Sequence, residues 1–216
     1  TLFPLQAALG YDIAQSLFIG SNNLIVEGVT DFWYLNSTSD YLKSIDKTGL
    51  DSKIIITPAG GAQKVSYMVS LLSSQNLNVV VLLDEERESK ATRDELIEGK
   101  VIHKSNILFV SECFETEVNE ADIEDLLDKD VFLNLVRQSY SNELSFNEKI
   151  PRVAKQAEQA LRSQKQKFVK AKPAREFIKK LGTQPEEVMT DYSISMFEKL
   201  FKLINSKIKN SSRNTI

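Results

Sequence analysis

The sequence has very few of the residues on which several common kinds of site depend. Its single cysteine, Cys113, excludes an internal disulfide, and its single histidine, His103, argues against a histidine-rich zinc site or a Ser-His-Asp triad. No apolar run reaches the roughly 18 residues that a membrane span needs, and no signal peptide is visible. We therefore expect a cytoplasmic protein that has no membrane partner.

Basic residues are scarce in the first part of the chain and acidic residues are scarce in the last part, although the net charge of the 216 residues is only −3. Residues 1–149 hold 12 Lys and Arg against 24 Asp and Glu, whereas residues 150–216 hold 15 against 6. Carboxylates collect hard metal cations, and a basic surface collects phosphates. The asymmetry indicates an acidic part and a basic part with different tasks, unless both are simply solvated surfaces of opposite sign.

Four short runs are typical of strands that are covered on both faces. Each is nearly continuous in its hydrophobicity and rich in β-branched residues. Segments with a helical period separate the runs, and this alternation predicts a parallel α/β sheet with right-handed crossovers. The predicted strands are residues 23–27, 53–58, 78–84 and 106–112, and the predicted helices between them are residues 30–45, 60–75 and 85–100.

The pattern changes after about residue 115, where helical periods predominate and no further strand signals occur. The first residues, 2–20, also have a helical pattern. The predicted later helices are residues 120–140, 149–164, 172–181 and 193–208. We predict three parts, namely a connecting helix over residues 1–18, an α/β domain over 19–118 and a helical domain over 119–216.

Acidic residues follow three of the four predicted strands. Glu27 ends the first strand, Asp84 and Glu86 follow the third, and Glu112 ends the fourth. In an open parallel sheet, ligands bind outside the carboxyl ends of the strands. Alternation along an extended chain places Asp84 and Glu86 on one side, and Asp31 lies one helical turn after Glu27. We therefore expect these carboxylates to share one edge of the sheet.

These acids, together with Glu124 and Asp125 further along, would repel one another unless protons, basic side chains or divalent cations neutralised them. Taken singly, each has an ordinary alternative, such as a polar turn at a strand end or a solvated helix start. Their convergence on one edge favours a binding site. Because the chain has many oxygen donors and almost no His or Cys, the expected ion is Mg²⁺ or Mn²⁺.

Five short motifs in the same order resemble those of the TOPRIM fold, and in particular those of the C-terminal nuclease region of the OLD (overcoming lysogenization defect) family. They are a strand tip of the VEGxxD type, a turn with two glycines, an acidic strand tip, an IEDL segment and a segment that carries a lysine. In this sequence they read LIVEGVTDFWYL, ITPAGGAQKV, VVVLLDEERESK, IEDLLD and FVKAKPAREFIKKL, and the resemblance extends from about residue 19 to residue 208. It implies a TOPRIM (Rossmann-like) parallel sheet flanked by helices, with a C-terminal helical domain.

The resemblance also implies a metal-dependent DNA endonuclease or nickase that hydrolyses phosphodiester bonds with two divalent ions. Glu27 and Asp84 are then expected to be catalytic. Lys170 is expected to stabilise the charge that develops on the phosphate, with Lys172 as the alternative. The expected metal ligands form one set for each ion: Glu27, Asp84 and Glu86, and Asp31 with Glu124 or Asp125.

A short basic segment is expected to contact the DNA backbone without sequence preference. It contains Lys165, Lys167, Lys170, Lys172 and Arg175 within eleven residues. OLD proteins usually carry an ABC-type ATPase ahead of the nuclease region. This sequence has no GxxxxGK[ST] phosphate loop and does not begin with Met, so we expect a fragment without its N-terminal ATPase domain. The resemblance further implies a helicase partner and a role in phage defence or DNA repair.

One residue departs from the family pattern, because Glu86 stands where the second aspartate of an Asp-x-Asp motif is expected. A longer side chain there would move or loosen an ion. Two alternatives to a nuclease therefore stay open. One is a catalytically degenerate TOPRIM module that serves DNA binding or assembly. The other is a receiver-like phosphotransfer domain, although such a domain is about half this length and needs no basic helical extension.

Overall fold

A four-stranded parallel sheet forms the centre of the protein, whose computed structural model describes residues 20–73, 77–140 and 143–211. The order across the sheet is β2-β1-β3-β4. Strand β2 lies on one side of β1 and β3 lies on the other, so the order of the strands reverses at β1. A crevice for a ligand can open at such a switch point. The strands are β1 (Asn22–Val26), β2 (Ile54–Pro58), β3 (Asn78–Leu83) and β4 (Ile107–Phe109). The predicted α/β fold with a parallel sheet is confirmed.

Helices separate the strands and follow the last of them. Those between the strands are α1 (Val29–Ser44), α2 (Ala62–Ser73) and α3 (Arg87–Glu98). Those after β4 are α4 (Lys129–Tyr140), α5 (Val153–Ser163), α6 (Ala171–Thr183) and α7 (Asp191–Ser211). The predicted connecting helix over residues 1–18 lies outside the described residues. Within the described ranges, every helix is too short or too polar to cross a bilayer.

Alternate residues of the strands belong to two separate hydrophobic clusters. In β1, Leu24 and Val26 belong to one cluster and Ile25 belongs to the other. Because successive side chains of a strand point to opposite faces, the sheet is covered on both sides. This explains why the strands are nearly continuous in their hydrophobicity. Helices α2 and α3 cover the face of Ile25, and α1 covers the opposite face.

The C-terminal helices share the hydrophobic core of the α1 face. Leu24 and Tyr34 lie in the same buried cluster as Phe132 of α4, Phe177 of α6 and Phe201 of α7. All five side chains are fully buried. Residues from both sides of position 118 therefore stabilise one core. The division of the chain into domains at residues 19–118 and 119–216 stays a prediction.

Two predicted elements differ in the structure, and specific hydrogen bonds explain both differences. Residues 120–140 do not form one helix, since a 3₁₀ turn over Ile123–Leu126 precedes α4. Glu85 and Ala121 first exchange backbone hydrogen bonds of 2.7 and 3.1 Å, which keeps the chain extended there. Strand β4 ends early, at Phe109, because the Glu112 carboxylate accepts a 2.9 Å hydrogen bond from the Phe109 N–H and closes a turn.

The single thiol, Cys113, is buried, and we predict that it reacts slowly in the folded protein. Burial, with the charge of Glu112, raises the pKa of Cys113 to about 12. The thiolate is the reactive form. At pH 8 we expect the reaction with Ellman's reagent to be at least ~100-fold slower in the native protein than in the urea-unfolded protein. Equal rates in the two states would contradict this packing of Cys113.

Candidate functional site

The ammonium group of Lys170 lies among buried carboxylates at the carboxyl end of the sheet. Its Nζ is 3.0 Å from Glu124 Oε2, 3.7 Å from Asp122 Oδ2 and 3.8 Å from Asp84 Oδ2. The carboxylates of Asp122 and Glu124 are fully buried, whereas the Lys170 side chain is 34% exposed. Burial lowers the pKa of Lys170, but the surrounding carboxylates, with Glu124 the strongest, raise it well above its usual value. Lys170 is therefore the cation that these carboxylates share.

Glu27 follows β1, and its main chain and side chain are both held in place. Its carbonyl oxygen accepts hydrogen bonds from the N–H groups of Gly60 and Gly61 at 3.0 and 2.7 Å. Both glycines have positive φ angles, +85° and +128°, which L side chains rarely adopt. The Glu27 Oε1 accepts hydrogen bonds from the Ser89 hydroxyl at 2.6 Å and from the Asp84 N–H at 3.2 Å. The two-glycine turn after β2 thus fixes the acid that ends β1.

Asp31 lies in the first turn of α1, where its carboxylate accepts a 2.8 Å hydrogen bond from the Gly28 N–H. Burial raises the pKa of Asp31 to about 7, although the charge of Lys170 opposes the shift. One turn later, Tyr34 packs its ring 5.0 Å from that of Phe177. Because Phe177 belongs to α6, this contact holds the helix that follows Lys170 against the helix that carries Asp31.

The acids of the cluster outnumber the single ammonium group of Lys170 that lies among them. Burial raises the pKa of Glu27 and Glu124, and it raises that of Asp84 well above its usual value. Within the described part of the chain, Glu124 Oε1 is buried and has no hydrogen-bond partner. A buried acceptor without a partner is costly. The cluster therefore has both the excess charge and the open acceptor that a bound cation would satisfy.

Glu86 contacts a different cation from Asp84. Its Oε2 lies 2.7 Å from Nη1 of Arg152, and Nη2 of Arg152 pairs with Asp122. Asp122 therefore lies between Arg152 and Lys170. The sequence analysis missed both Asp122 and Arg152. Asp122 had a weak signal, since it belongs to the same acidic stretch as Glu124, but nothing in the sequence marks Arg152.

The Asp125 carboxylate accepts hydrogen bonds from the backbone and is not among the acids grouped around Lys170. One carboxylate oxygen accepts from the Asp122 N–H at 2.8 Å, and the other accepts from the Val153 N–H at 2.9 Å. The side chain thus joins the 3₁₀ turn to the start of α5. Of the predicted ligands, the structure groups Glu27, Asp31, Asp84 and Glu124 near Lys170. It places Glu86 against Arg152 and Asp125 against the main chain.

The other basic residues of the predicted DNA-binding segment are exposed, at residues 165, 167, 172 and 175. Lys172 Nζ lies 4.2 Å from the centre of the Tyr140 ring, and the Arg175 guanidinium lies 5.6 Å from that of Trp33. Lys165 and Lys167 lie in the turn between α5 and α6. Only Lys170 of this segment points into the acidic cluster, so it is favoured over Lys172 as the lysine of the site.

The side chains of the cluster offer oxygen atoms, which are the donors that a hard divalent cation prefers. As the side chains are arranged, no three or more His, Cys, Asp or Glu residues in the described ranges are placed so that they could hold a metal ion. Three of the carboxylates lie instead at 3.0 to 3.8 Å from the Lys170 ammonium. Oxygen ligands, excess negative charge and the unpaired Glu124 Oε1 nevertheless suit Mg²⁺ or Mn²⁺.

The raised pKa of Asp31 predicts how stability depends on pH when no metal is present. Between the ordinary value of 3.8 and about 7, the folded state retains a proton that the unfolded state has released. Rising pH therefore favours unfolding in this window, by on the order of 3–4 kcal/mol. We expect urea unfolding in EDTA to show a lower free energy of unfolding at pH 8 than at pH 5.

The Asp31→Asn variant is the control, because it removes this titration and should flatten the dependence on pH. Burial also raises the pKa of Asp125, to about 6, and that of Glu27, Asp84 and Glu124, so these groups contribute with the same sign and leave a residual slope. A free energy of unfolding that increases from pH 5 to pH 8 would contradict the raised pKa values.

Comparison with known proteins gives one similar structure. No family model matches the chain, and no curated protein matches it. Among solved structures, it is similar to the C-terminal region of the OLD protein of Xanthomonas campestris pv. campestris, with a TM-score of 0.46 and 16% sequence identity. The match covers 87% of this chain and 97% of that chain.

Proposed function

We propose that this protein is a divalent-metal-dependent deoxyribonuclease that nicks or cleaves DNA. The observation that carries the proposal is the cluster of Glu27, Asp31, Asp84 and Glu124 around Lys170. These carboxylates are buried at the edge of a parallel sheet where ligands bind. Burial of so many like charges is unfavourable unless a cation is bound, so a purely structural role would not explain it. The motifs that resemble the OLD nuclease region contain all five residues. The four acids are the metal ligands predicted from that resemblance, and Lys170 is the predicted catalytic lysine.

Each residue of the cluster has a distinct task in this proposal. Glu27 and Asp84, from the ends of β1 and β3, would hold Mg²⁺ or Mn²⁺ together with Asp31 and Glu124. When bound, the cation supplies a Lewis acid for the phosphate and lowers the pKa of a bound water. Lys170 has a partly exposed side chain and would contact the non-bridging oxygens of the phosphate, where negative charge increases during hydrolysis.

DNA would reach the cluster along the basic segment that contains Lys170. Exposed lysines and arginines contact phosphates without reading bases, so we expect cleavage with little sequence preference. Lys165, Lys167, Lys172 and Arg175 would supply these contacts. We extend the proposal to the cellular role that the motifs imply. The protein would be a cytoplasmic nuclease that follows an ABC-type ATPase domain, and it would act with a helicase in phage defence or DNA repair.

The proposal is tested with supercoiled plasmid and the purified chain in Mg²⁺, Mn²⁺ or EDTA. We expect nicked and linear plasmid with either metal, and intact plasmid in EDTA. The Glu27→Ala, Asp84→Ala double variant should bind the plasmid but leave it intact. Cleavage that continues in EDTA, or in the double variant, would contradict the proposed metal-dependent reaction.

A second candidate is a module that binds DNA or assists assembly without cleaving. Two contacts favour it, since Arg152 pairs with Glu86 and Lys170 pairs with Glu124. Side chains of the protein would then supply all the positive charge of the cluster. The plasmid assay separates the candidates, because a binding module would shift the plasmid in a gel with every metal and leave it uncut.

A further inference from the structure

The turn that leads to Lys170 lies at the surface of the protein. The N–H groups of Lys165 and Gln166 donate hydrogen bonds of 3.0 and 2.9 Å to carbonyl oxygens in the last turn of α5, which ties down the start of the turn. Every side chain from residue 162 to residue 169 is exposed except that of Phe168, which is half-buried. A segment with so few buried side chains has little packing to hold it in one conformation. The position of Lys170 therefore depends on the contacts of the residues just before it.

Tyr140, the last residue of α4, holds the end of this turn with its hydroxyl group. The hydroxyl accepts a 2.7 Å hydrogen bond from the Val169 N–H and donates a 3.3 Å hydrogen bond to the Lys167 carbonyl oxygen. A hydroxyl can accept and donate at the same time, so one side chain fixes the main chain at both positions. Val169 immediately precedes Lys170 in the sequence.

The ring of Tyr140 contacts side chains that come before and after Lys170. Its centre lies 6.5 Å from that of the Phe168 ring and 4.2 Å from the Lys172 ammonium. Tilted aromatic pairs and cations near a ring are both stabilising. These contacts involve side chains, whereas the hydroxyl holds the main chain itself. The hydroxyl is therefore the part of Tyr140 that bears most directly on Lys170.

The main chain of Lys170 has to be placed accurately, because its ammonium contacts acids from two other segments. Nζ lies 3.0 Å from Glu124, 3.7 Å from Asp122 and 3.8 Å from Asp84. The stem of a lysine is flexible but of fixed length, so the ammonium reaches these acids from a limited range of main-chain positions. A shift of the turn would lengthen the contacts and weaken the attraction.

We infer that Tyr140 positions Lys170 in the acidic cluster by holding the main chain of residues 167–169 with its hydroxyl. Tyr140 is a positioning residue, because it acts through the main chain next to Lys170. The effect expected on cleavage rests on the proposed function, whereas the effect on the contacts between Lys170 and the acids does not.

A double-mutant cycle with Tyr140→Phe and Lys170→Met tests this role in the full chain. Tyr140→Phe keeps the ring and removes the hydroxyl. Urea unfolding in EDTA at pH 8 gives the equilibrium constant for unfolding of the native chain, the two single variants and the double variant. The increase that Tyr140→Phe causes should be at least ~3-fold smaller in the Lys170→Met chain than in the native chain, because that chain has no ammonium to misplace.

Single-turnover plasmid cleavage in Mg²⁺ extends the cycle to the proposed reaction. Tyr140→Phe should slow cleavage about 10-fold while plasmid binding stays within ~2-fold, because a small displacement of Lys170 affects the reaction more than the binding. In the Lys170→Met chain the same change should alter the remaining rate by less than ~2-fold.

Tyr192→Phe is the matched control, because it also removes a tyrosine hydroxyl that donates to the main chain. That hydroxyl lies 3.3 Å from the carbonyl oxygen of Asp125 and not at the turn before Lys170. We expect the cleavage rate of Tyr192→Phe to stay within ~2-fold of the native rate. A loss as large as that of Tyr140→Phe would count against a special role for Tyr140.

The outcomes separate this inference from the proposed function. Additive effects on unfolding would overturn the role of Tyr140 and leave the nuclease proposal standing, and so would an equal loss of cleavage with and without Lys170. A native chain that leaves plasmid intact with either metal would overturn the proposed function instead. Non-additive unfolding would, in that case, still support Tyr140 as the residue that places Lys170 among the acids.

Discussion

Glu27→Gln should lose plasmid cleavage by ~10³-fold or more while the protein stays folded. The variant removes one negative charge from the end of β1 but keeps the size of the side chain. Ser89 and the Asp84 N–H can still donate hydrogen bonds to the amide oxygen, as they do to the carboxylate at 2.6 and 3.2 Å. The loss should therefore come from the weaker hold on the cation and not from unfolding. Plasmid nicking and urea unfolding, measured side by side, check both statements.

Glu112→Gln is the matched control, because Glu112 was also predicted at the end of a strand. Its carboxylate accepts the Phe109 N–H and closes a local turn away from Lys170. We expect its cleavage rate to stay within ~3-fold of the native rate, since a surface capping residue is worth roughly 1 kcal/mol of stability and touches no part of the site. Equal losses in the two variants would mean that Glu27 has no special role.

Lys170→Met should lower cleavage by about 10²–10³-fold and also destabilise the metal-free protein at pH 8. Removing the ammonium leaves Asp84, Asp122 and Glu124 without their shared cation. Breaking such a buried pair leaves unpaired charge, and we expect a loss of roughly 2–3 kcal/mol, near the lower end for buried pairs because Lys170 is partly exposed. Urea unfolding in EDTA measures the stability, and single-turnover nicking measures the reaction.

Two conditions should restore the stability of Lys170→Met. Lower pH protonates the carboxylates and removes the repulsion, so the difference from the native protein should shrink at pH 5. Added Mg²⁺ should stabilise the variant more than the native protein, because the cation replaces the missing charge. Lys172→Met is the control, since its ammonium lies over the Tyr140 ring and not among the carboxylates. A stability loss that is the same at pH 5 and pH 8 would contradict this electrostatic explanation.

The order of strands and helices could be predicted because each strand is covered on both faces. The alternation of Leu24 and Ile25 between two hydrophobic clusters requires apolar residues at every position, and that produces a continuous signal in the sequence. The positions of Glu27 and Asp31 followed from the same signal, since both are fixed relative to the end of β1. The ends of elements were predicted less well where a side chain closes a turn, as Glu112 does after strand β4.

The partners of the acids could not be predicted, because they depend on contacts between distant segments. Arg152 lies 66 residues from Glu86 along the chain, and it immediately precedes α5, which packs against α4 and the 3₁₀ turn Ile123–Leu126. The alternation that was predicted to place Glu86 beside Asp84 is interrupted at Glu85, where the Glu86 N–H donates a 3.0 Å hydrogen bond to the Asp84 carbonyl oxygen. The hydrogen bond that Asp125 accepts from the Val153 N–H could not be predicted for a similar reason, since it crosses 28 residues.

The core that the sheet shares with the C-terminal helices makes this protein hard to divide into interchangeable parts. Phe177, Phe201 and Val153 belong to the same buried cluster as Leu24. Lys170 immediately precedes the helix that contains Phe177, and Arg152 immediately precedes Val153, so the same segments bring both cations to the acids. A swap of the later helices for those of another protein would therefore change the counter-charges of the site as well as its packing. A functional exchange would therefore have to change the acidic segments and the basic segments together.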